Sequence, residues 1–361
     1  MIVSLLLDLA SAAGPPRPSV LRDAWSDYKR HYVQADGRVI DPRGSVTTSE
    51  GQAYGMTRAA FAGDRAGFAL IHQWTVANLQ FGDPTVLPAW RWGPRPDGSW
   101  GILDPSPASD ADMWMAWALL HAERTFGVPG YATAADGLID AIAREEVITL
   151  GDRTLVLPGP WARDGDPVEI NPSYFLPFAA REFAKRRPSP WQDVLDDGYA
   201  LLSEWMADHR LPPDWAYVDR EGKLVGAPPG RRPDPQRFGF EAMRIPWALA
   251  ADALWHNDPR ADQLLQPIGH LASRWRAEGR LAARMELNGL PVVDYASAAL
   301  YGSLLPAWGR VAPDDAEALY RLEVAPGRTP PGWGPADDYF AQNWAWLGVA
   351  LWSGLAQSVP N

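Results

Sequence analysis

Four carboxylates stand where a sequence rarely carries charge. In residues 108–126, ASDADMWMAWALLHAERTF, Asp110 and Asp112 precede Met113, Trp114, Met115, Trp117, Leu119 and Leu120 almost without a polar break. A helix apolar on nearly every face is a buried helix, and unpaired charge is costly to bury. Ser109 or Asp110 can cap its first turn, where the helix dipole favours an anion. In TTSEGQAYGM, Glu50 opens a second apolar helix beside Tyr54, with Gly51 and Gly55 four residues apart on one face. Glycine within a helix costs roughly 1 kcal/mol against alanine, so the two imply a steric need. In FGFEAMRIPW, Glu241 opens a third such helix. Arg244, three residues on, can hold a carboxylate ionised by pairing.

N-capping or an ordinary i, i+3 ion pair accounts for any one of these acids alone. Together they place carboxylates at the starts of three buried helices, which a ring of inner helices would gather at one end. Two carboxyl groups across a cleft, one protonated and one ionised, are what hydrolysis of a glycosidic bond needs. Trp90, Trp92, Trp100, Trp161, Trp215 and Trp333 fall in segments rich in Pro and Gly. Such residues either anchor loops or offer flat faces to sugar rings.

Other chemistries find little support. There is no P-loop, no GxGxxG after a strand and no GxSxG elbow. The six histidines show no zinc-ligand spacing, and no metal or cofactor is expected. A net charge of −11 argues against a nucleic-acid partner. The 361 residues are 47% hydrophobic, ample for a large core, and hold no cysteine for a disulfide.

The elements that must position the acids are helical. Periodicity predicts helices near 18–33, 49–62, 64–80, 108–126, 130–146, 171–185, 189–207, 237–255, 259–277, 292–307, 313–324 and 336–355. Strand-like alternation of comparable strength is absent. Apolar helices roughly alternate with amphipathic ones, which suits an all-α fold, a barrel of about twelve helices in two concentric rings. The connections near 81–107, 148–170, 209–236 and 278–291 exceed ordinary helix–helix turns and are candidate functional loops. No flexible linker divides the chain, so residues 15–361 read as one catalytic domain. Residues 1–14 begin with an apolar run too short to span a membrane and end in small residues. No Lys or Arg precedes the run and Asp8 interrupts it, so residues 1–14 read either as a trimmed secretory signal or as an apolar terminus, and the expectation is a periplasmic or secreted location without membrane insertion.

The same motifs resemble the inverting glycoside hydrolases of family 8. Residues 108–126 match the family signature, and residues 49–56 look like the segment carrying its general acid. The likeness continues through residues 171–174 and 240–247 and ends near 338–342. Within the family, residues 37–42, 87–90 and 143–147 are similar to the cellulase that accompanies bacterial cellulose synthase. The resemblance implies an (α/α)6 barrel and endo-hydrolysis of a β-1,4-glucan chain with inversion, with the synthase export machinery as a possible partner. It implies Glu50 as general acid and Asp110 as the aspartate contacting the sugar being cleaved, with Tyr174 and Arg244 lining the cleavage site. The sugar-contacting set is completed by Tyr54, Trp90, Trp92, Trp100 and Asp112. The general base falls at Glu241, where the usual pattern is Tyr-Asp-Ala-x-x-Arg and this chain has Phe240-Glu241-Ala242-Met243-Arg244. Glutamate can move the same proton, but its extra methylene displaces the carboxylate by about a bond length, and Asp110 is the nearest alternative base.

Three other readings are open at this level. One is a glucan-binding accessory protein with little turnover, motivated by the substitution at Glu241. Another is a family 8 enzyme for xylan, chitosan or mixed-linkage glucan. A third is an α-helical isoprenoid enzyme holding magnesium diphosphate through Asp110 and Asp112, for which no second aspartate-rich motif is present.

Overall fold

The computed structural model describes residues 14–229 and 237–360. The apolar run expected to be a signal remnant lies, apart from Gly14, outside the described residues. Among the described residues twelve α-helices follow one another: α1 (Pro18–Tyr32), α2 (Ser49–Ala62), α3 (Arg65–Asn78), α4 (Ser109–Phe126), α5 (Pro129–Glu145), α6 (Pro177–Arg186), α7 (Pro188–Trp205), α8 (Arg244–His256), α9 (Pro259–Glu278), α10 (Ala298–Val311), α11 (Pro313–Leu319) and α12 (Tyr339–Trp352).

Side-chain chemistry sorts them into two rings. The helices α2, α4, α8, α10 and α12 are buried on almost every face, whereas α5, α7 and α9 bury one apolar stripe each. Each inner helix packs on the next inner one, α2 on α4, then α6, α8, α10 and α12. The ring closes where Tyr54 of α2 meets Trp344 of α12 at 5.7 Å between ring centres. There Arg58 also donates to the Gln342 carbonyl and to Asn343 Oδ1, both at 3.2 Å. This is the expected (α/α)6 barrel.

Aromatic rings fill the barrel axis. Trp114 lies 5.2 Å from Trp247 and 5.2 Å from Phe178, Trp247 lies 6.2 Å from Trp344, and Trp117 stacks on Trp255 at 5.5 Å. Edge-to-face and offset pairs of this kind add about 0.5–1.5 kcal/mol each beyond the area they bury. The tightest helix contact is backbone on backbone. A Cβ on Gly348 of α12 would lie 1.8 Å from the Gly302 carbonyl oxygen of α10.

Short strands, unexpected from the sequence, tie the connections together: β1 (Thr47–Thr48), β2 (Arg91–Pro94), β3 (Trp100–Asp104), β4 (Val147–Leu150), β5 (Arg153–Val156), β6 (Val168–Ile170), β7 (Ala216–Val218), β8 (Leu224–Val225), β9 (Arg237–Phe238), β10 (Met285–Glu286), β11 (Arg328–Thr329) and β12 (Gly332–Trp333). Segments of two to five residues are too short to show a period of two. Two of these sheets shape one end of the barrel. Pairing of Thr47 with Trp92 lays the tryptophan-rich loop beside the start of α2, and pairing of Ile170 with Ala216 places Trp215 next to Asn171.

Three expected helix starts move. The helix expected from 292 begins at Ala298, where Ser297 caps it by accepting from the Ala299 N–H. The helix expected from 171 begins at Pro177, because Asn171 accepts from the Ser173 N–H and folds residues 172–174 into a separate turn. The helix expected from 237 begins at Arg244, after β9 and a turn. Gly348→Ala is expected to destabilise the fold by about 1–3 kcal/mol or more through overpacking. Urea unfolding monitored by tryptophan fluorescence reads it, and an unchanged midpoint would refute backbone contact between α10 and α12.

Candidate active site

The starts of α2, α4 and α8 converge at one end of the barrel, and a buried guanidinium joins their acids. Arg244 Nη1 donates to Asp110 Oδ2 at 2.7 Å and to Glu50 Oε1 at 3.4 Å. Its Nη2 donates to Ser173 Oγ at 2.8 Å and forms an ion pair with Glu241 Oε2. Its Nε reaches the Glu241 backbone carbonyl at 3.2 Å, and the Tyr174 ring lies 5.2 Å from the guanidinium carbon. The planar fork of arginine suits this task, since it presents donors in two directions at once. Burial disfavours its charge, but Glu241 and Asp110 outweigh that and hold it protonated well above the usual arginine range.

Exposure separates the acids by role. Side chains of Asp110 and Arg244 are 3% and 4% exposed, whereas Glu50 and Glu241 keep 21% and 33%. Glu50 and Glu241 therefore border solvent from opposite edges of the fork, with Asp110 beneath. Burial and then the Asp110 charge push the Glu50 carboxyl well above the ordinary glutamate value, against the partial relief of Arg244. Glu241 accepts from Asn171 Nδ2 at 2.9 Å as well as from Arg244. Asp110 has both oxygens engaged, Oδ2 by Arg244 and Oδ1 by the Ala111 N–H at 2.8 Å.

Local structure explains each placement. Thr48 caps α2 by accepting from the Gly51 N–H at 3.1 Å, so the expected helix start at Ser49 and Glu50 stands. Gly51 and Gly55 serve different neighbours: a Cβ on Gly51 would meet Tyr339 at 3.4 Å, and one on Gly55 would meet Val39 and Ile71 at 3.1 and 3.2 Å. Neither Ser109 nor Asp110 caps α4. The α4 cap residue is Ala108, and Ser109 Oγ donates to the Leu157 carbonyl instead. Glu241 does not open a helix but lies in the turn three residues before α8.

Several residues expected to touch a sugar are placed otherwise. Asp112 is fully buried and has no surface to offer a ligand. Two positions along a helix point nearly opposite ways, so Asp112 turns from the cluster towards Glu146. That separation also removes a joint magnesium site with Asp110. Tyr54 is buried beneath the acids and against Trp114 and Trp344. Trp92 is half-buried, 5.3 Å from Trp74 and 4.6 Å from the Arg38 guanidinium, while Trp100, 48% exposed, lies 5.5 Å from Trp92 and 4.7 Å from the same guanidinium. Trp90 is half-buried, and its carbonyl accepts from the Ser49 N–H at 2.9 Å. Asn171 and Ser173 belong to the site, although of the 171–174 segment that resembles the family only Tyr174 was given a role. Beyond that likeness, their signal was an Asn-Pro-Ser turn sequence before an apolar helix.

The sequence profile of the glycosyl hydrolases family 8 matches residues 1–263. The chain belongs to that family. An endoglucanase of Escherichia coli K12 is 41% identical over 204 residues, 55% of each chain, and one of Salmonella typhi is 39% identical over 256 residues, 69% of this chain and 67% of the relative. The chain thus spans little more than half the length of the E. coli relative it matches. The solved endo-1,4-D-glucanase of Vibrio fischeri ES114 superposes with a TM-score of 0.79 at 26% identity, covering 91% of this chain and 93% of that one.

Below the family 8 site lies a second acid pair. Asp112 and Glu146 are both fully buried and face each other, and none of their four carboxyl oxygens has another hydrogen-bond partner among the described residues. Burial, then for Asp112 the neighbouring Glu146 charge, pushes both well above the carboxylate range. The folded pair therefore holds a proton at pH values where the unfolded chain has released it. By linkage its stability is full below the unfolded value near 4 and is lost as pH rises towards the folded value, by at most about 1.4 kcal/mol per pH unit per proton. Asp112→Asn removes one titrating member, so its melting temperature should fall less between pH 5 and 8 than that of the wild type. Parallel profiles would show that the pair holds no extra proton.

Proposed function

We propose that this family 8 chain is an inverting endo-β-1,4-glucanase. The observation that carries the reading is the fork of Arg244, which Glu50 and Glu241 flank with their side chains 21% and 33% exposed, the Glu50 carboxyl being raised well above the ordinary glutamate value by burial. In this reading Glu50 protonates the leaving glycosidic oxygen as the bond to the anomeric carbon breaks. Glu241 removes a proton from a water attacking the opposite face, and exchange with solvent restores both groups. An inverting site leaves room for that water, with carboxyls roughly 6.5–9.5 Å apart. Asp110 is poorly suited as base because both its oxygens are taken and its side chain is almost wholly covered. Its fixed charge beneath the cleft suits stabilisation of a sugar ring that gains positive character.

Glutamate at 241 works here because the site meets its length. From the turn ahead of α8, the longer side chain reaches both Arg244 Nη2 and Asn171 Nδ2. The exposed face of Trp100 and the Tyr174–Trp215 pair, 6.1 Å apart, offer platforms on either side. The names of the relatives support glucan as substrate. The sub-group motifs and the apolar N-terminal run support action in the periplasm or outside the cell, beside a cellulose synthase export machinery.

Glu50→Gln and Glu241→Ala should each lower reducing-end release from carboxymethyl-cellulose by about 10²–10⁴-fold while still binding cello-oligosaccharide. Glu241→Asp should stay active, and proton NMR of the first-formed product should show the α-anomer. Wild-type rates in either of the first two variants would overturn that residue's role, and an initial β-anomer would overturn inversion.

A further inference from the structure

The turn that carries Glu241 is held from below by one carboxylate, Asp214. Its Oδ1 accepts three backbone N–H groups, from Gly239 at 2.8 Å, Glu241 at 3.2 Å and Ala242 at 2.8 Å. Asp214 is 7% exposed, and its own N–H donates to the Arg237 carbonyl at 2.6 Å, fastening it to β9. The contact is close on both sides. A Cβ on Gly239 would lie 2.5 Å from Asp214 Oδ2, and its three nearest neighbours would all be atoms of the Asp214 carboxylate. The cap residue of α8, Met243, has no side-chain hydrogen bond of its own. The orphan N–H groups ahead of that helix are satisfied from another segment of the chain.

Resting on the reading of Glu241 as general base, we infer that Asp214 is a positioning residue that fixes the Gly239–Ala242 turn and thereby sets where the Glu241 carboxylate stands. A base carried on a turn ahead of a helix needs such a brace, because an error of about 1 Å at a reacting group can lower turnover about a hundredfold. Asp214 also senses pH. Burial, then the three N–H groups pulling the other way, and the Glu241 charge set its carboxyl at about 6. As pH falls through that value the carboxylate protonates and its hold on the turn weakens. Among the described residues the charged group acting on it is Glu241, and its other contacts in the turn are backbone N–H groups.

Steady-state kinetics on soluble cello-oligosaccharide, across pH, test this with Asp214→Asn, Asp214→Ala, Gly239→Ala and the Asp214→Ala/Gly239→Ala double variant. Asp214→Ala should lower kcat about 10–100-fold with KM within about twofold. Asp214→Asn, which keeps an acceptor oxygen, should recover part of that loss. Its acid limb should move to lower pH, since the carboxyl that protonates at about 6 is gone. Gly239→Ala should lower kcat in the wild-type background but cost nothing further once Asp214 is alanine, the non-additivity expected of two groups in contact. If Asp214→Ala melts below the assay temperature, Asp214→Asn and Gly239→Ala decide. Wild-type kcat and an unmoved acid limb in Asp214→Asn would overturn the proposal, and so would equal costs of Gly239→Ala in both backgrounds. Glu241→Ala alongside separates the two claims. Wild-type turnover there overturns the base assignment and this proposal with it, whereas an inactive Glu241→Ala beside fully active Asp214 variants overturns this proposal alone.

Discussion

One buried cation constrains the whole site. Arg244 is the point at which α2, α4, the 171–174 turn and the turn before α8 meet, because each contributes an oxygen to its guanidinium. Burying a charge without partners is costly in a low-dielectric interior, and removing one partner from a buried pair costs about 3–5 kcal/mol. The barrel must therefore bring these segments together or leave a charge unpaired. Burial first, and then the excess of negative charge that three carboxyls leave around one guanidinium, favours one of them keeping a proton. The member that does so, Glu50, faces solvent. A stability requirement thus leaves a raised carboxyl at the solvent-facing edge, as the proposed proton donor needs.

The aromatic core serves the same end. Tyr54, Trp114, Trp247 and Trp344 pack beneath the acids, excluding water from the lower side of the cluster. That low-dielectric floor strengthens the ion pairs above it and is the main cause of the raised Glu50 carboxyl. The tryptophans of this chain accordingly divide between two tasks. Trp114, Trp117, Trp247, Trp344 and Trp346 fill the barrel, while Trp100 and Trp161 remain about half exposed.

The inner helices were legible because burial on all faces leaves an unmistakable composition. Residues 108–126 and 49–62 read as buried helices, and α4 and α2 occupy almost those spans. The acids were legible for the converse reason, since Asp110 and Glu50 interrupt otherwise apolar surroundings. What escaped was whatever depended on contacts distant in sequence. The opposed directions of Asp110 and Asp112 follow from helical geometry, but the partner awaiting Asp112 is Glu146, at the end of a different helix. The turn before α8 looked helical because Glu241 and Arg244 are spaced as on a helix face. Its N–H groups are instead satisfied by Asp214, 25 to 28 positions upstream. Asn171 and Ser173 are small polar residues whose role exists only once Arg244 is beside them.

The measurement that bears most directly on this account is the titration of the Glu50 side-chain carboxyl, followed by carbon-13 NMR and assigned by its loss in Glu50→Gln. If the Arg244 cluster holds an excess proton on its solvent-facing member, that carboxyl titrates well above the ordinary glutamate value of 4.5. A midpoint in the ordinary carboxylate range would mean that Glu50 is ionised at neutral pH, and would contradict its role as the proton donor at the cleft.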